Sequence, residues 1–208
     1  MLPTDPYPVP ATRHRVERSI DRSRFICTVD RVESAAAAQA LVREMNAEFA
    51  DATHNCWAYV AGPPGSTNVV GMSDAGEPHG TAGRPMLTVL LHSGVGEIAA
   101  VVTRYYGGIK LGTGGLVKAY GGVVQLALDS LPLAERIDYV EMQLSIGYPS
   151  ITTVQQAMAS LGAEITEREH GVDVRYQLRV PQGNVEALRR AVADATRGDG
   201  VLVERSLP

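Results

Sequence analysis

The sequence predicts an α+β fold in two parts, and three observations carry that prediction. Its 208 residues, 45% hydrophobic and 20% charged, suffice for one large or two small buried cores without covalent staples. Apolar residues recur with period two in some segments and period 3.6 in others along the whole length. After Pro132 the rhythm becomes more regular, which marks a seam. The expected division is a flexible tail over residues 1–12, an N-terminal domain over 13–132 and a C-terminal domain over 135–208.

The tail is expected from Pro3, Pro6, Pro8 and Pro10. His14 to Val32 reads as a strand pair turning at Asp21-Arg22-Ser23, with Val16, Ile20, Ile26, Thr28 and Val29 as its β-branched positions. Arg13, Arg15, Arg18, Arg22 and Arg24 make it basic, either as a solvated face or for anion recognition. Ser34 is a candidate N-cap for a helix whose Ala38, Leu41, Val42, Met45 and Phe49 share one side.

Thr53 to Val60 is a strand with His54, Cys56, Ala58 and Val60 on one face and Asn55, Trp57 and Tyr59 on the other. His54 and Cys56 would stand roughly 7 Å apart, too far for a direct nucleophile and base contact. Gly62 to Ser66 turns the chain, and Asn68 to Met72 returns as a strand. Thr81 to Pro85 opens a helix running to His92, Glu97 to Tyr106 is an apolar strand, and Gly115 to Leu131 is a second helix. Gly121 and Gly122 cost that helix roughly 1 kcal/mol each relative to alanine, so close packing or a ligand is expected to offset them.

Beyond the seam, Val140, Met142, Leu144 and Ile146 alternate with polar residues as a half-buried strand. Ile151, Val154, Met158 and Leu161 form a helix ended by Gly162, and a short strand spans Ala163 to Thr166. Val172 to Val180 alternate strictly, Val185, Leu188, Val192 and Ala195 form another helix, and Val201 to Val203 close as a strand. The order βαββαβ is ferredoxin-like, with both helices on one sheet face and Glu141, Gln143, Arg175, Gln177 and Arg179 on the other. That open face lacks the exposed aromatics of an RNA-recognition motif.

A net charge of −4 does not describe a surface that coats nucleic acid, so a polyanion must meet a local patch. Cys27 and Cys56, far apart and outside any C-x-x-C, suit buried thiols in a reducing cytoplasm. The sequence has neither a secretory signal pattern nor an apolar run of about 20 residues, so no membrane association is expected.

Chemistry concentrates between Ser73 and Gly122. The glycine-rich segment lies between a strand and a helix, where free amides can hold an anion, and no acid occurs among residues 98 to 122. Arg84, Arg104, Lys110, Gly112, Gly114, Gly115 and Lys118 are the anion-binding candidates; the alternative is a tight turn whose glycines serve packing alone. Gly112-x-Gly114-x-x ends on Val117, so the dinucleotide fingerprint does not close, and no Walker pattern is present. Asp74, Glu77 and His79 could organise the earlier loop, with Asp74 capping a turn and Glu77 pairing with Arg84 or Arg104. They could instead join Arg84 in a small-molecule or phosphate-ligand enzyme site. No cofactor and no metal are expected.

Asp51 to Tyr59, the Ser73-Asp74-Ala75-Gly76-Glu77-Pro78 loop through Pro85, and Val101 to Gly112 together resemble the signature of the YigZ/IMPACT family, to which Ser23-Arg24-Phe25-Ile26 is also similar. Ala75 stands where that loop has a second acid, and His79 where it has Ser or Ala. The resemblance implies an N-terminal α+β domain like the second domain of a small-subunit ribosomal protein, followed by a ferredoxin-like domain similar to one in elongation factor G. Eukaryotic relatives act in translational control but carry a different accessory domain. Their partner therefore does not transfer to this chain; the basic glycine loop together with the resemblance points to a non-enzymatic, cytoplasmic, translation-associated binding protein contacting RNA, the ribosome or a translation factor through a basic glycine-rich surface.

Overall fold

The computed structural model describes residues 6–205, which fall into two compact units dividing between Arg136 and Ile137. The break comes four residues after the expected seam at Pro132, because Leu133 to Arg136 is still held by the first unit as a strand.

The first unit is built on a five-stranded antiparallel sheet. In chain order its elements are β1 (Tyr7–Pro10), β2 (His14–Ile20), β3 (Ser23–Arg31), α1 (Ala35–Glu48), β4 (His54–Val60), β5 (Val70–Ser73), α2 (Gly83–His92), β6 (Ile98–Tyr105), α3 (Gly112–Asp129) and β7 (Leu133–Arg136). The sheet order is β2-β3-β6-β4-β5. β2 and β3 join through Asp21 and Arg22, both at left-handed φ (44° and 64°), a two-residue turn whose twist suits the strands. Ser34 caps α1 as expected, its Oγ accepting the Ala37 amide at 3.1 Å.

The alternation read in β4 separates two cores. Cys56, Ala58 and Val60 face α2 and α3, meeting Phe25, Met86, Leu90, Leu116 and Tyr120. Trp57 and Tyr59 face α1, meeting Leu41, Val42 and Met45. β6 lies between these layers and is buried on both sides, which explains its uninterrupted apolar run.

The expected tail is corrected over Tyr7–Pro10, a strand pairing antiparallel with β7; the rest of that expectation at Met1 to Asp5 lies outside the described residues. Prolines are tolerated because this ribbon is only two strands wide and needs few of their missing amides. Val9 is buried, and the ribbon is anchored on Glu97, itself 4% exposed. Glu97 accepts from the Tyr7 hydroxyl at 2.9 Å and Arg31 Nε at 2.8 Å, and Arg136 pairs with the same carboxylate.

The second unit comprises β8 (Tyr139–Ile146), α4 (Ile151–Ser160), β9 (Glu164–His170), β10 (Val174–Pro181), α5 (Val185–Thr196) and β11 (Val201–Glu204). Its sheet order β11-β8-β10-β9 is ferredoxin-like, and Met142, Leu144, Ile146, Tyr176 and Leu178 pack with Val154, Met158, Leu188 and Val192 of the two helices. β9 is longer than expected because it pairs along most of β10, whereas Val172 leaves the alternation and stands 96% exposed in the connecting turn. On the other face Arg179 approaches Glu164 at 3.4 Å and Glu141 at 3.6 Å, a mutually neutralised polar surface.

Candidate functional site

Asp74 leaves the end of β5 and folds back on the start of α2. Its carboxylate accepts the amides of Gly80 at 2.7 Å, Gly83 at 2.9 Å and Ala82 at 3.0 Å. Ala82 precedes the helix and has no side chain able to cap it, so Asp74 does so from eight residues away. Burial opposes ionisation of Asp74, but the amides of Gly80, Gly83 and Ala82, with His79 nearby, outweigh it and hold the carboxyl below its ordinary range. His79 itself projects into solvent, 3.8 Å from Asp74.

Glu77 turns the other way, into the protein. It meets Arg104 from the end of β6, Nη1 donating to Oε1 at 2.6 Å, and both side chains are over nine-tenths buried. The Tyr120 hydroxyl donates to the same oxygen at 2.8 Å, and Arg104 Nη2 reaches Ser23 Oγ at 3.2 Å. The guanidinium lies over the rings of Phe25 and Tyr106, at 5.3 and 5.5 Å. Cys56 Sγ donates to the Asp74 carbonyl at 2.9 Å and lies 3.4 Å from the Tyr120 hydroxyl. Burial pushes the Cys56 thiol up to about 12 and raises Tyr120 as well, the latter helped by Cys56 and Glu77.

A cleft of about 450 Å³ opens above this pair. Glu77, Pro78, Arg104 and Tyr106 line it together with Lys110, Leu111, Gly112, Thr113 and Leu116 around the start of α3. Leu111 at the helix N-cap offers no side-chain acceptor, so the first amides of α3 keep their hydrogen-bonding capacity and the positive end of the helix dipole. Lys110 is exposed, and Glu77, among the described residues the only acid bordering the cleft, is matched by Arg104. The cleft therefore has an aromatic and aliphatic wall and a locally positive rim. That arrangement can receive an anionic group joined to a flat or apolar body.

The seven anion-binding candidates do not line one cleft. Arg104, Lys110 and Gly112 border the cleft. Arg104 is one of the two partners expected for Glu77, and the pair forms beneath the surface, leaving Arg104 5% exposed. Arg84 borders two other depressions, one with Asp74 and His79 and one with Pro85, Val89, Val117 and Gly121. Gly114, Gly115 and Lys118 lie on α3 outside the cleft lining. The glycines divide their work: a Cβ on Gly107 would collide with the Arg22 backbone, so that glycine serves packing, whereas Gly112 supplies a left-handed φ of 68° at the cleft.

The enzyme reading needed Asp74, Glu77, His79 and Arg84 in one cleft, and here the structure corrects it. Glu77 faces Arg104, while the other three border a separate depression in which the Asp74 carboxylate is engaged by backbone amides. Among the described residues no three His, Cys, Asp or Glu side chains converge as a metal-binding group. The reading missed Tyr106, Leu111, Thr113 and Leu116 as cleft residues, and Tyr120 as the hydroxyl on Glu77. Tyr106 beside Gly107-Gly108 was the available signal; Tyr120 showed only its helical spacing.

Among the described residues no helix is long and apolar enough to cross a membrane. The family model for the Impact N-terminal domain matches residues 21–128, and the model for a domain of unknown function, DUF1949, matches residues 144–199. The chain is 42% identical to the IMPACT family member YigZ of Escherichia coli strain K12, over 91% of this chain and 93% of that one. It is 35% identical to the IMPACT family member YvyE of Bacillus subtilis strain 168, over 90% and 86%. A crystal structure of a hypothetical protein, 40% identical, covers 98% of this chain and 99% of its own with a TM-score of 0.67. With both domain models matched in order and such identity over nine-tenths of its length, this chain belongs to the IMPACT family.

Proposed function

We propose that this chain is a cytoplasmic, non-catalytic binding protein of the translation machinery, contacting an anionic surface there through the cleft at the head of α3. Its family membership supports the setting. The observation that carries the contact is the uncapped start of α3 beside exposed Lys110, over a floor where the Glu77 carboxylate is already matched by Arg104. A helix N-terminus is worth roughly half a positive charge, and Lys110 adds a full one at the same rim. A phosphate backbone fits this rim without requiring a basic protein, which suits the net charge of −4.

The test is co-sedimentation with ribosomes and binding of labelled RNA at low salt, wild type beside Lys110→Ala and Thr113→Glu. The wild type is expected to bind, Lys110→Ala to lower the slope of log affinity against log salt by about 1, and Thr113→Glu to weaken binding by charge repulsion. No binding by the wild type at low salt, or two variants that bind as it does, would overturn the proposal.

A further inference from the structure

Resting on that anion-binding reading, we infer that the cleft takes a single nucleoside phosphate, with the base against Tyr106 and the phosphate on the first amides of α3 and Lys110. Three observations lead there. The cleft's volume, about 450 Å³, falls in the range of small-molecule sites, roughly 300–1,000 Å³, and suits one nucleotide rather than a duplex. Its two sides differ in chemistry: Tyr106, Pro78, Leu111 and Leu116 offer a flat or apolar surface, while Lys110, Gly112 and Thr113 carry the positive rim.

The third observation is the guanidinium at the base of the cleft. Arg104 is 5% exposed and lines the cleft, its Nη atoms engage Glu77 and Ser23, and its Nε has no hydrogen-bond acceptor. That Nε is shut off from the cleft, so what Arg104 offers a ligand is a rigid base: its guanidinium, fixed by Glu77 and Ser23, lies against Tyr106 and holds that ring in place. Tyr106 carries the guanidinium over one ring face and is still 45% exposed. An accessible aromatic ring beside a phosphate-binding turn is the pairing used by proteins that read unstacked nucleotides.

The ligand chemistry is shared by a free mononucleotide and by one nucleotide of a single strand. The experiment therefore titrates the full chain with adenosine monophosphate, adenosine, inorganic phosphate, polyglutamate, a single-stranded ten-nucleotide oligoadenylate and an RNA duplex. Affinities are read by calorimetry, and the site by amide chemical shifts of Gly112, Thr113 and Gly114. Adenosine monophosphate is expected to move those amides and to bind at least tenfold tighter than adenosine or phosphate.

Tyr106→Ala is expected to weaken it by roughly 5- to 100-fold, as for loss of one base stack, and Tyr106→Phe by less than about twofold. Should Tyr106→Ala fail to fold, Thr113→Glu, an exposed change on the first turn of α3, supplies the test with an expected tenfold loss or more. A strand binding more than tenfold tighter than the mononucleotide assigns the site to one nucleotide of a chain; equal affinities assign it to the free nucleotide. Polyglutamate or phosphate binding as tightly as the mononucleotide, a preference for duplex, or unchanged binding by both Tyr106→Ala and Thr113→Glu would overturn the inference. If RNA and ribosomes still bind and only Tyr106→Ala is without effect, the base contact fails and the anion-binding reading stands; if no polyanion binds, both fail.

Discussion

Replacing Arg104 by alanine leaves the Glu77 carboxylate buried beside Tyr120 with its cation gone. The Glu77 side chain is 3% exposed and Arg104 6%, so solvent cannot take over the missing contact. Breaking a buried ion pair from one side costs about 3–5 kcal/mol, because the surviving charge is stranded; replacing both partners by apolar residues is often nearly neutral. The rings of Phe25 and Tyr106 also lose the guanidinium between them, adding to the loss.

For a unit of about 130 residues, with an unfolding entropy near 2.1 cal/mol/K per residue, that corresponds to a fall in Tm of roughly 10 to 20 °C. The assay is intrinsic fluorescence. Trp57 is the only tryptophan in the chain and sits on β4, so its emission follows the N-terminal unit alone. The double variant Arg104→Met, Glu77→Leu is expected to recover more than half of the lost stability. An Arg104→Ala protein melting within about 2 °C of wild type would refute the buried-pair reasoning. The same reasoning makes Arg104→Ala unsuitable as a probe of ligand contact, since it disturbs the floor of the cleft.

Three further outcomes follow from the geometry. Asp74→Ala removes the acceptor for three amides at the start of α2 and is expected to cost about 2 kcal/mol at neutral pH in urea unfolding. Because the folded carboxyl titrates below its unfolded value, that contribution is fully present above about pH 5 and is lost as pH falls through about 4 and below; a wild-type to mutant difference unchanged down to pH 3 would contradict it. Cys27 and Cys56 are buried, with thiols raised to about 12, so a thiol reagent at pH 8 is expected to label neither until the unit unfolds; prompt labelling of the native protein would refute this. Gly107→Ala would force a methyl group into the Arg22 backbone and is expected to cost about 3 kcal/mol or more, whereas Gly114→Ala, in open space on α3, is expected to be neutral or slightly stabilising; equal unfolding midpoints for the two would exclude the packing role of Gly107.

What could be read beforehand depended on how local its physical cause is. The strands of the second unit were legible because Met142, Leu144 and Ile146 and their partners Val174, Tyr176 and Leu178 each alternate on their own segment. The cap on α1 was legible because Ser34 lies three residues from the amide it accepts. The β1–β7 ribbon was not, since four prolines mask a strand whose partner is over 120 residues away. At the site, glycines and cations showed in composition and Glu77 was expected to pair with Arg84 or Arg104, but which arginine it takes, and that the pair is buried, is decided only by how the loop folds over β6. Burial of a charge depends on a distant partner, and one sequence does not display that distance.

The ribbon on Glu97 also decides how the N-terminal unit meets force. Tyr7, where β1 begins, pairs with Arg136, where β7 ends, so the polypeptide enters and leaves the unit at the same end of one antiparallel pair. Tension applied through those two points pulls the strands apart from that end and loads their hydrogen bonds in succession, not all at once in shear. The first resistance is the Glu97 carboxylate holding Tyr7 and Arg136, and it passes the load to β3 through Arg31 and to β6, which begins at the next residue.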